Sequence, residues 1–301
     1  MTHLFEQYGD MIPDFSCFQE SLRRPLPTHI RINRLKIAPS SLVEALEEKG
    51  IRLQPASRRH DTLWLAPDLR LPGNMLEYFL GYIHPQALTS ALAGIILSPH
   101  ENSCVLDMCA APGGKTSHCA EIMNNTGLII ANELYPARHI PLGHTLARTG
   151  VMNAVVTGYQ AQEFPLKQRF DFILADVPCS CEGEFRVSRK RDTYREDRGK
   201  KMLPELQKKI LLRGFDLLRQ KGKMLYATCT YNPLENESVV NHLLNEREAE
   251  VFSIDTEFCV EPGLTQWKKE TYDKRLQRTI RFYPHRVNSV GFFMASIGRR
   301  G

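Results

Sequence analysis

The sequence has few cysteines, no long apolar run and no low-complexity linker. Eight cysteines in 301 residues are too few for a disulfide scaffold, and the lack of a CxxC pair predicts no metal site. No stretch approaches the roughly 18 consecutive apolar residues of a membrane-spanning helix. The first fifteen residues also lack the basic-then-apolar layout of a secretory signal. These absences predict a cytoplasmic protein with reduced thiols and no membrane partner.

The charges of the two signs nearly balance, with a formal net charge of +5, but the cations are clustered. Residues 186–201 hold eight Lys or Arg against three acids, and residues 267–286 hold seven against two. Clustered cations attract the phosphate backbone of nucleic acids. Each run also fits a solvated charged face. Candidates for a further cationic surface lie nearer the start of the chain: Arg31, Arg34, Arg52, Arg58 and Arg59.

The pattern of the chain changes near Gly81. Before it, a strand at 28–37 and a serine-capped helix at 40–50 predict a small N-terminal α+β domain over residues 1–83. Residues 84–301 alternate apolar strands with helices, which is typical of an α/β fold with a mostly parallel sheet. The predicted strands are 104–108, 127–133, 154–159, 170–176, 223–229, 249–254 and 292–297. The predicted helices are 85–97, 115–124, 136–149, 203–219 and 234–246.

A glycine-rich loop, CAAPGGKT at 109–116, joins the first strand of this sheet to the next helix. Its glycines permit close approach of a ligand, although its spacing matches neither GxxxxGK[ST] nor GxGxxG. Glu133 ends the second strand, twenty residues after Gly113, where an acidic side chain can bind ribose hydroxyls. Loop and acid together predict a nucleoside-containing cofactor, and leave open whether it is a dinucleotide or S-adenosylmethionine.

Two cysteines each end a predicted strand of the same sheet. Cys179 closes FDFILADVPC and Cys229 closes KMLYATC. Ligands of open α/β sheets bind at the carboxyl ends of the strands, so we expect both thiols beside the glycine loop. The alternative for either residue is an inert buried cysteine.

Four motifs taken together resemble the NOL1/NOP2/Sun family of RNA cytosine-5 methyltransferases: CAAPGGKT, DVPCS, ATCT followed by NPLENE, and GFF. The resemblance runs in the expected order from RINRLK, which begins at Arg31, to GFFMA at 291–295. It implies a class I, Rossmann-like methyltransferase fold with a seven-stranded sheet in the order 3-2-1-4-5-7-6. The implied cofactor is S-adenosylmethionine, and the implied partner is a tRNA or rRNA with a single-stranded or flipped-out cytosine. We also expect a monomer.

The resemblance assigns roles to individual residues. It implies that Cys229 adds to cytosine C6 and that Cys179 assists proton removal or product release. Such addition makes chemical sense, because a thiolate on C6 concentrates electron density on the weakly nucleophilic C5. Asp176 is implied to lie between cofactor and base, and Lys115 to point towards the reacting centre. The predicted cofactor-binding residues are Cys109, Ala110, Ala111, Pro112, Gly113, Gly114, Lys115, Glu133, Arg138, Gln160 and Asp176.

Two residues depart from the family pattern. Gln160 stands where family members commonly carry an Asp that contacts the adenine amino group. Cys181 replaces the usual glycine, close enough to Cys179 in sequence for an inactivating disulfide. These departures leave open an inactive member that acts as an RNA-binding assembly factor.

A further alternative is a DNA cytosine-5 methyltransferase, whose nucleophile is the PC-type cysteine. The TC cysteine and the lack of a long target-recognition insertion disfavour it.

Overall fold

The computed structural model describes residues 5–187 and 202–300. Most of the basic run at 186–201 lies outside these ranges, so its predicted contact with RNA stays a prediction. Within the two ranges, no helix is both long enough and apolar enough to cross a lipid bilayer.

The N-terminal residues pack against the last third of the chain rather than against the first sheet. This segment contains a 3-10 turn at Glu6–Tyr8 and the helix α1 (Phe15–Ser21). Phe18 is fully buried, and its ring lies edge-on to Tyr231 at a centroid distance of 5.2 Å. Tyr283 belongs to the same apolar cluster. The segment therefore joins the two ends of the described chain.

The first sheet is small and antiparallel. Its strands are β1 (His29–Ile32), β2 (Gln54–Pro55), β3 (Leu63–Leu65) and β4 (Ile83–Pro85), arranged in the order β2-β3-β1-β4. The helix α2 (Pro39–Glu48) covers one face, where Leu42 and Leu46 contact the β1 residues Ile30 and Ile32. The boundary predicted at residue 83 falls within β4, and the division into two domains stays a prediction.

The predicted serine cap of α2 is wrong. The residue before the helix is Ala38, and the helix begins at Pro39, one residue before the predicted start. A proline suits the first helical position because its fixed φ is already helical and its missing N–H would be unpaired there anyway. The following serines therefore lie inside the helix.

The remaining strands form the large sheet and one separate hairpin, β12 with β13. They are β5 (Cys104–Asp107), β6 (Leu128–Asn132), β7 (Ala154–Thr157), β8 (Phe170–Asp176), β9 (Leu218–Thr228), β10 (Ala249–Phe252), β11 (Glu261–Pro262), β12 (Gln266–Trp267), β13 (Glu270–Thr271), β14 (Ile280–Phe282) and β15 (Phe292–Arg299). Strands β7-β6-β5-β8-β9 are parallel neighbours in that order, and β15 runs antiparallel beside β9. Strand β10 pairs with the second half of β15.

This arrangement confirms the predicted order 3-2-1-4-5-7-6, but the sheet is larger than predicted. Among the described residues it has nine strands rather than seven, because β14 pairs with the first half of β15 and β11 pairs with β14. The added strands lie beside β10 along the same antiparallel edge. The class I methyltransferase core is therefore complete and carries an extension at that edge.

Helices cover both faces of the large sheet. Neighbouring strand residues point to opposite faces. Ile173 therefore joins the core that includes the helices at 203–217 and 237–246, whereas Leu174 joins the core under the helices at 88–97 and 114–122. Burial on both faces explains why the strands are almost continuously apolar. The remaining helices are α3 (Leu76–Phe79), α4 (Leu88–Leu97), α5 (Gly114–Ile122), α6 (Pro136–Thr149), α7 (Leu203–Leu217), α8 (Glu237–Glu246) and α9 (Pro284–Val287).

Candidate active site

A cleft of about 390 Å³ lies at the carboxyl ends of β5, β8 and β9. This is the edge at which parallel α/β sheets bind their ligands. Both predicted thiols and most of the glycine loop line the cleft. The lining residues with polar, charged or thiol side chains are His84, Gln86, Ser90, Asp107, Cys109, Lys115, Arg138, Asp176, Cys179, Cys181, Glu184 and Cys229.

The two predicted thiols meet in this cleft. Cys229 directly follows β9, and Cys179 lies three residues beyond the end of β8. Their Sγ atoms are 3.4 Å apart, although the residues are fifty positions apart in the sequence. Both side chains are half-buried. One substrate atom placed in the cleft can therefore meet both sulfur atoms.

The loops that carry the thiols are bound to each other. The Gly183 N–H donates to the carbonyl of Cys229 at 2.8 Å. The Ser180 N–H donates to the Glu235 carboxylate at 2.9 Å, and the hydroxyls of Ser180 and Thr230 are 2.7 Å apart. Glu235 belongs to the NPLENE segment and is buried. That segment therefore fixes the position of the loop containing Cys179.

The GFF motif has a steric role beside these loops. The Gly291 N–H donates to the Gly183 carbonyl at 3.0 Å. A Cβ on Gly183 would lie 2.2 Å from the Gly291 carbonyl oxygen, and one on Gly291 would lie 2.2 Å from the Tyr231 ring. Both distances are far below van der Waals contact. The two glycines are therefore needed for the thiol loops to approach β15.

The pKa values of both thiols are raised above their usual value. The hydrogen bond with Cys179, together with burial, raises the pKa of the Cys229 thiol well above its usual value. The hydrogen bond with Cys181, together with burial, does the same to the pKa of Cys179. Burial and these hydrogen bonds therefore favour the protonated form of both thiols.

Lys115 and Asp176 form an ion pair at the floor of the cleft. The Lys115 Nζ lies 2.7 Å from Asp176 Oδ2, and also 5.4 Å from the centre of the Phe292 ring. Burial would lower the pKa of Lys115, but the Asp176 carboxylate outweighs it and raises that pKa. Lys115 is therefore a fixed cation that holds the Asp176 carboxylate at the end of β8.

Asp107 is a cleft residue that the sequence reasoning missed. It ends β5, is buried, and accepts a hydrogen bond from the Thr116 hydroxyl at 2.7 Å through Oδ2. Its Oδ1 has no hydrogen-bond partner among the described residues. Burial raises the pKa of Asp107 to about 7. Its position as an acid at the end of the first strand of the large sheet was the available signal.

The glycine loop closes tightly under the cleft. Gly113 has a φ of +101°, which L side chains rarely adopt, and it precedes the first residue of α5. A Cβ on Gly114 would lie 2.8 Å from Nε2 of His84. His84 and its neighbour Gln86 reach the cleft from β4 and the residue after it. The sequence around His84 and Gln86 does not indicate that they line the cleft, because their position depends on how the small sheet packs against the rest of the protein.

Three of the residues predicted to bind the cofactor, Glu133, Arg138 and Gln160, follow the glycine loop in the chain. The Glu133 carboxylate is buried, accepts from the Tyr135 N–H at 3.0 Å and pairs with Arg138 at 3.0 Å. Arg138 also donates to the Ala111 carbonyl at 2.8 Å and lines the cleft. Gln160 is exposed and accepts from the Gln162 side chain at 2.7 Å. The structure thus brings Arg138 to the cleft wall but neither Glu133 nor Gln160.

The predicted cationic surfaces contain two arginines that face the interior. Arg31 is buried and pairs with Glu121, and Arg281 is buried and pairs with Glu237. These two cannot meet a phosphate backbone, so including them in the surfaces was wrong. Several other arginines of the two groups pair with acids at the surface: Arg34 with Asp61, Arg52 with Asp68, Arg59 with Asp255, Arg275 with Asp273 and Arg278 with Glu250.

The chain is similar in sequence to a known protein family and to several of its members. Residues 94–298 match the family described as 16S rRNA methyltransferase RsmB/F. The chain is 34% identical over 92% of its length to the 28S rRNA (cytosine(4447)-C(5))-methyltransferase of Homo sapiens, of which it spans 35%. It is 33% identical over 98% of its length to the tRNA (cytosine(49)-C(5))-methyltransferase of Pyrococcus abyssi, of which it spans 94%.

A solved structure agrees with these sequence relationships. The methyltransferase homolog protein from Pyrococcus horikoshii superimposes with a TM-score of 0.84 at 29% identity, covering 94% of this chain and 90% of the other. The expected resemblance to the NOL1/NOP2/Sun proteins is thereby confirmed. The chain belongs to the RsmB/F family of RNA methyltransferases.

Proposed function

We propose that this protein is an S-adenosylmethionine-dependent methyltransferase that modifies C5 of a cytosine in tRNA or rRNA. The observation that carries the proposal is the 3.4 Å separation of the Cys179 and Cys229 sulfur atoms, in the cleft that also holds the Lys115–Asp176 pair. The named activities of the human and Pyrococcus abyssi relatives, both cytosine-C5 methylation of RNA, support it.

The cleft fits the proposed cofactor. S-adenosylmethionine carries a positive sulfonium and an ammonium group, and the cleft presents the carboxylates of Asp107 and Asp176. The buried Oδ1 of Asp107 lacks a partner among the described residues and can accept from such an ammonium group. Gly114 and the backbone of 109–112 leave room along the loop. When bound there, the cofactor supplies an electrophilic methyl group.

Cys229 acts as the nucleophile in this proposal. Its thiol first releases its proton to solvent, and the resulting thiolate forms a bond to cytosine C6 while the electron pair of the C5–C6 double bond moves to C5. Dividing the reaction in this way replaces one difficult step with easier ones. The ammonium group of Lys115, which interacts electrostatically with Cys229, favours the thiolate. After methylation C5 loses its proton, the double bond forms again and the Cys229 sulfur leaves.

Cys179 and Asp176 assist at the same base. The Cys179 sulfur, at 3.4 Å from Cys229, acts in the second half of the reaction. Either it accepts the C5 proton, for which Cys179 must first have lost its own proton to solvent, or its thiol assists release of the product. The Asp176 carboxylate, fixed by Lys115, can accept a hydrogen bond from cytosine N4 or from a protonated N3. These contacts require a base outside a stacked helix, so the substrate cytosine is single-stranded or flipped out.

The chemistry also implies a compartment. All eight cysteines are free thiols, and catalysis by Cys229 requires that they stay reduced. We infer a reducing compartment such as the cytoplasm for this reason. A monomer suffices for the proposed reaction, because each residue given a role in it lies in one chain.

Bisulfite sequencing of cellular RNA, with and without the protein, tests the activity. We expect a cytosine in tRNA or rRNA that resists conversion only when the wild-type protein is present. The Cys229→Ala variant should abolish that resistance. The matched variant Cys259→Ala changes an exposed cysteine outside the cleft and should preserve it. An identical conversion map with and without the wild-type protein contradicts the proposal.

A further inference from the structure

A third thiol lies beside the two proposed catalytic sulfur atoms. The Sγ atoms of Cys179, Cys181 and Cys229 all lie within 4.8 Å of one another, and we refer to these three residues as the thiol cluster. All three line the cleft. The proposed methylation gives Cys181 no role, so that reaction does not explain why its sulfur atom lies next to the other two.

The backbone holds the thiol cluster in place. Cys181 has a φ of +56° and a ψ of +26°, the left-handed conformation that non-glycine residues seldom adopt. Its thiol donates to the Cys179 carbonyl at 3.4 Å. The contacts of Ser180 with Glu235 and of Gly183 with Cys229 fix the loop on both sides of it. The three sulfur atoms are therefore arranged before any ligand arrives, which lowers the entropic cost of binding one.

We propose that the thiol cluster is a binding site for one Zn²⁺ ion. Zinc–sulfur bonds of about 2.3 Å in tetrahedral geometry place the sulfur atoms about 3.8 Å apart. The sulfur atoms of Cys179 and Cys229 are 3.4 Å apart, and all three sulfur atoms lie within 4.8 Å of one another, so small side-chain rotations reach that value. Binding converts three thiols and one Zn²⁺ into a zinc tris-thiolate and releases three protons. No oxidant or reductant takes part.

The surroundings favour a divalent ion. Three thiolates and one Zn²⁺ carry a net charge of −1, which the ammonium group of Lys115, already in electrostatic interaction with Cys229, offsets. Thiolates are soft ligands, which select zinc over hard cations such as Mg²⁺ and Ca²⁺. Because the cluster lines an open cleft, the fourth coordination position is available to water. This site differs from the expectation of no metal site, which rested on the lack of a CxxC pair. Its spacing is instead C-x-C, with a third cysteine that follows another strand.

Zinc and cytosine would compete for the same sulfur atoms. An ion bound to Cys179 and Cys229 occupies both thiols that the proposed methylation needs. Zinc therefore acts as a reversible inhibitor, and a chelator restores activity. This consequence rests on the proposed function, whereas the binding of zinc does not.

Titration of the reduced full-length protein with Zn²⁺, in competition with a chromophoric chelator, measures the binding directly. We expect one ion per chain in the wild type. The Cys181→Ser variant should bind more weakly by over ~100-fold, because losing a ligand costs more than the ~10–100-fold cost of losing an outer contact. Cys17→Ser, which changes an exposed cysteine of α1, should bind as the wild type does.

Cd²⁺ in place of zinc gives a second readout, through the ultraviolet absorption of cadmium–thiolate bonds. Its intensity should correspond to three thiolates in the wild type and to two in Cys181→Ser. Equal zinc affinity of these two proteins, or no binding by the wild type, overturns the site. Methylation assays with Zn²⁺ and then with a chelator test inhibition separately. If the wild type methylates no RNA under any condition, the proposed function fails while the titration still decides the zinc site.

Discussion

At the scale of single residues, Asp107 is a buried acid of the cleft that the sequence analysis did not identify. Its carboxyl group is buried at the end of β5, and one oxygen has no partner among the described residues. Taking a carboxylate out of water favours the protonated form, which is why its pKa is raised from 3.8 to about 7. A cofactor ammonium group placed against Oδ1 would reverse this and favour the carboxylate. Asp107 thus makes the free protein sensitive to pH.

Asp107→Asn should remove part of that sensitivity. Between pH 3.8 and about 7 the folded protein retains a proton that the unfolded chain has lost, so stability falls as the pH rises through this interval. The slope from this one group is at most about 1.4 kcal/mol per pH unit. Urea unfolding at several pH values measures it. The variant should lose this slope and gain stability relative to the wild type near neutral pH. Equal slopes in the two proteins would contradict the assignment.

At the scale of elements, one buried ion pair joins the small sheet to the helix that starts at the glycine loop. Arg31 on β1 pairs with Glu121 and donates to the Ser117 hydroxyl at 2.9 Å, both on α5. Burial lowers the pKa of Arg31 and raises that of Glu121 despite the pairing. The pair is therefore costly to bury, and it fixes the position of α5 relative to β1 rather than adding much stability.

Arg31→Met should destabilise the protein strongly, because it leaves the Glu121 carboxylate buried without its cation. Loss of one member of a buried pair costs about 3–5 kcal/mol. Arg34→Met, three residues along the chain, breaks an exposed pair with Asp61 and should cost about 0–1 kcal/mol. Adding Glu121→Leu to Arg31→Met should recover much of the loss. Free energies of urea unfolding test all three; equal costs for the two single variants would contradict the account.

Most strands and helices of the large sheet were predicted from the sequence. Strands buried on both faces are almost continuously apolar, and that pattern is visible in the local sequence. The strand Phe170–Asp176 and the helix Pro136–Thr149 have the predicted limits. Strand β14 was missed because its Arg281 reads as a surface cation. That arginine lies in the core only because Glu237, 44 positions away, accepts from it. Pairings over such distances leave no local pattern in a single sequence.

At the scale of the whole molecule, the cleft is assembled from segments far apart in the chain. The ends of β8 and β9 supply Asp176 and the two thiols, and the start of α5 supplies Lys115. The sequence predicted these residues at one edge because parallel strands end at the same edge of the sheet. The wall containing His84 comes from the small sheet, whose docking no local pattern predicts. The N-terminal segment adds a further long-range contact, since the Tyr8 hydroxyl donates to Glu182 beside the thiol loops at 3.1 Å.

The role of Cys229 is tested most directly by trapping the protein on RNA that contains 5-fluorocytosine. Fluorine at C5 cannot leave as a proton does, so the protein should stay covalently bound to the base. We predict that the wild type and Cys179→Ala form this adduct and that Cys229→Ala forms none. Denaturing electrophoresis resolves the adduct, and mass spectrometry identifies the residue that carries it. An adduct that forms with Cys229→Ala but not with Cys179→Ala would contradict it.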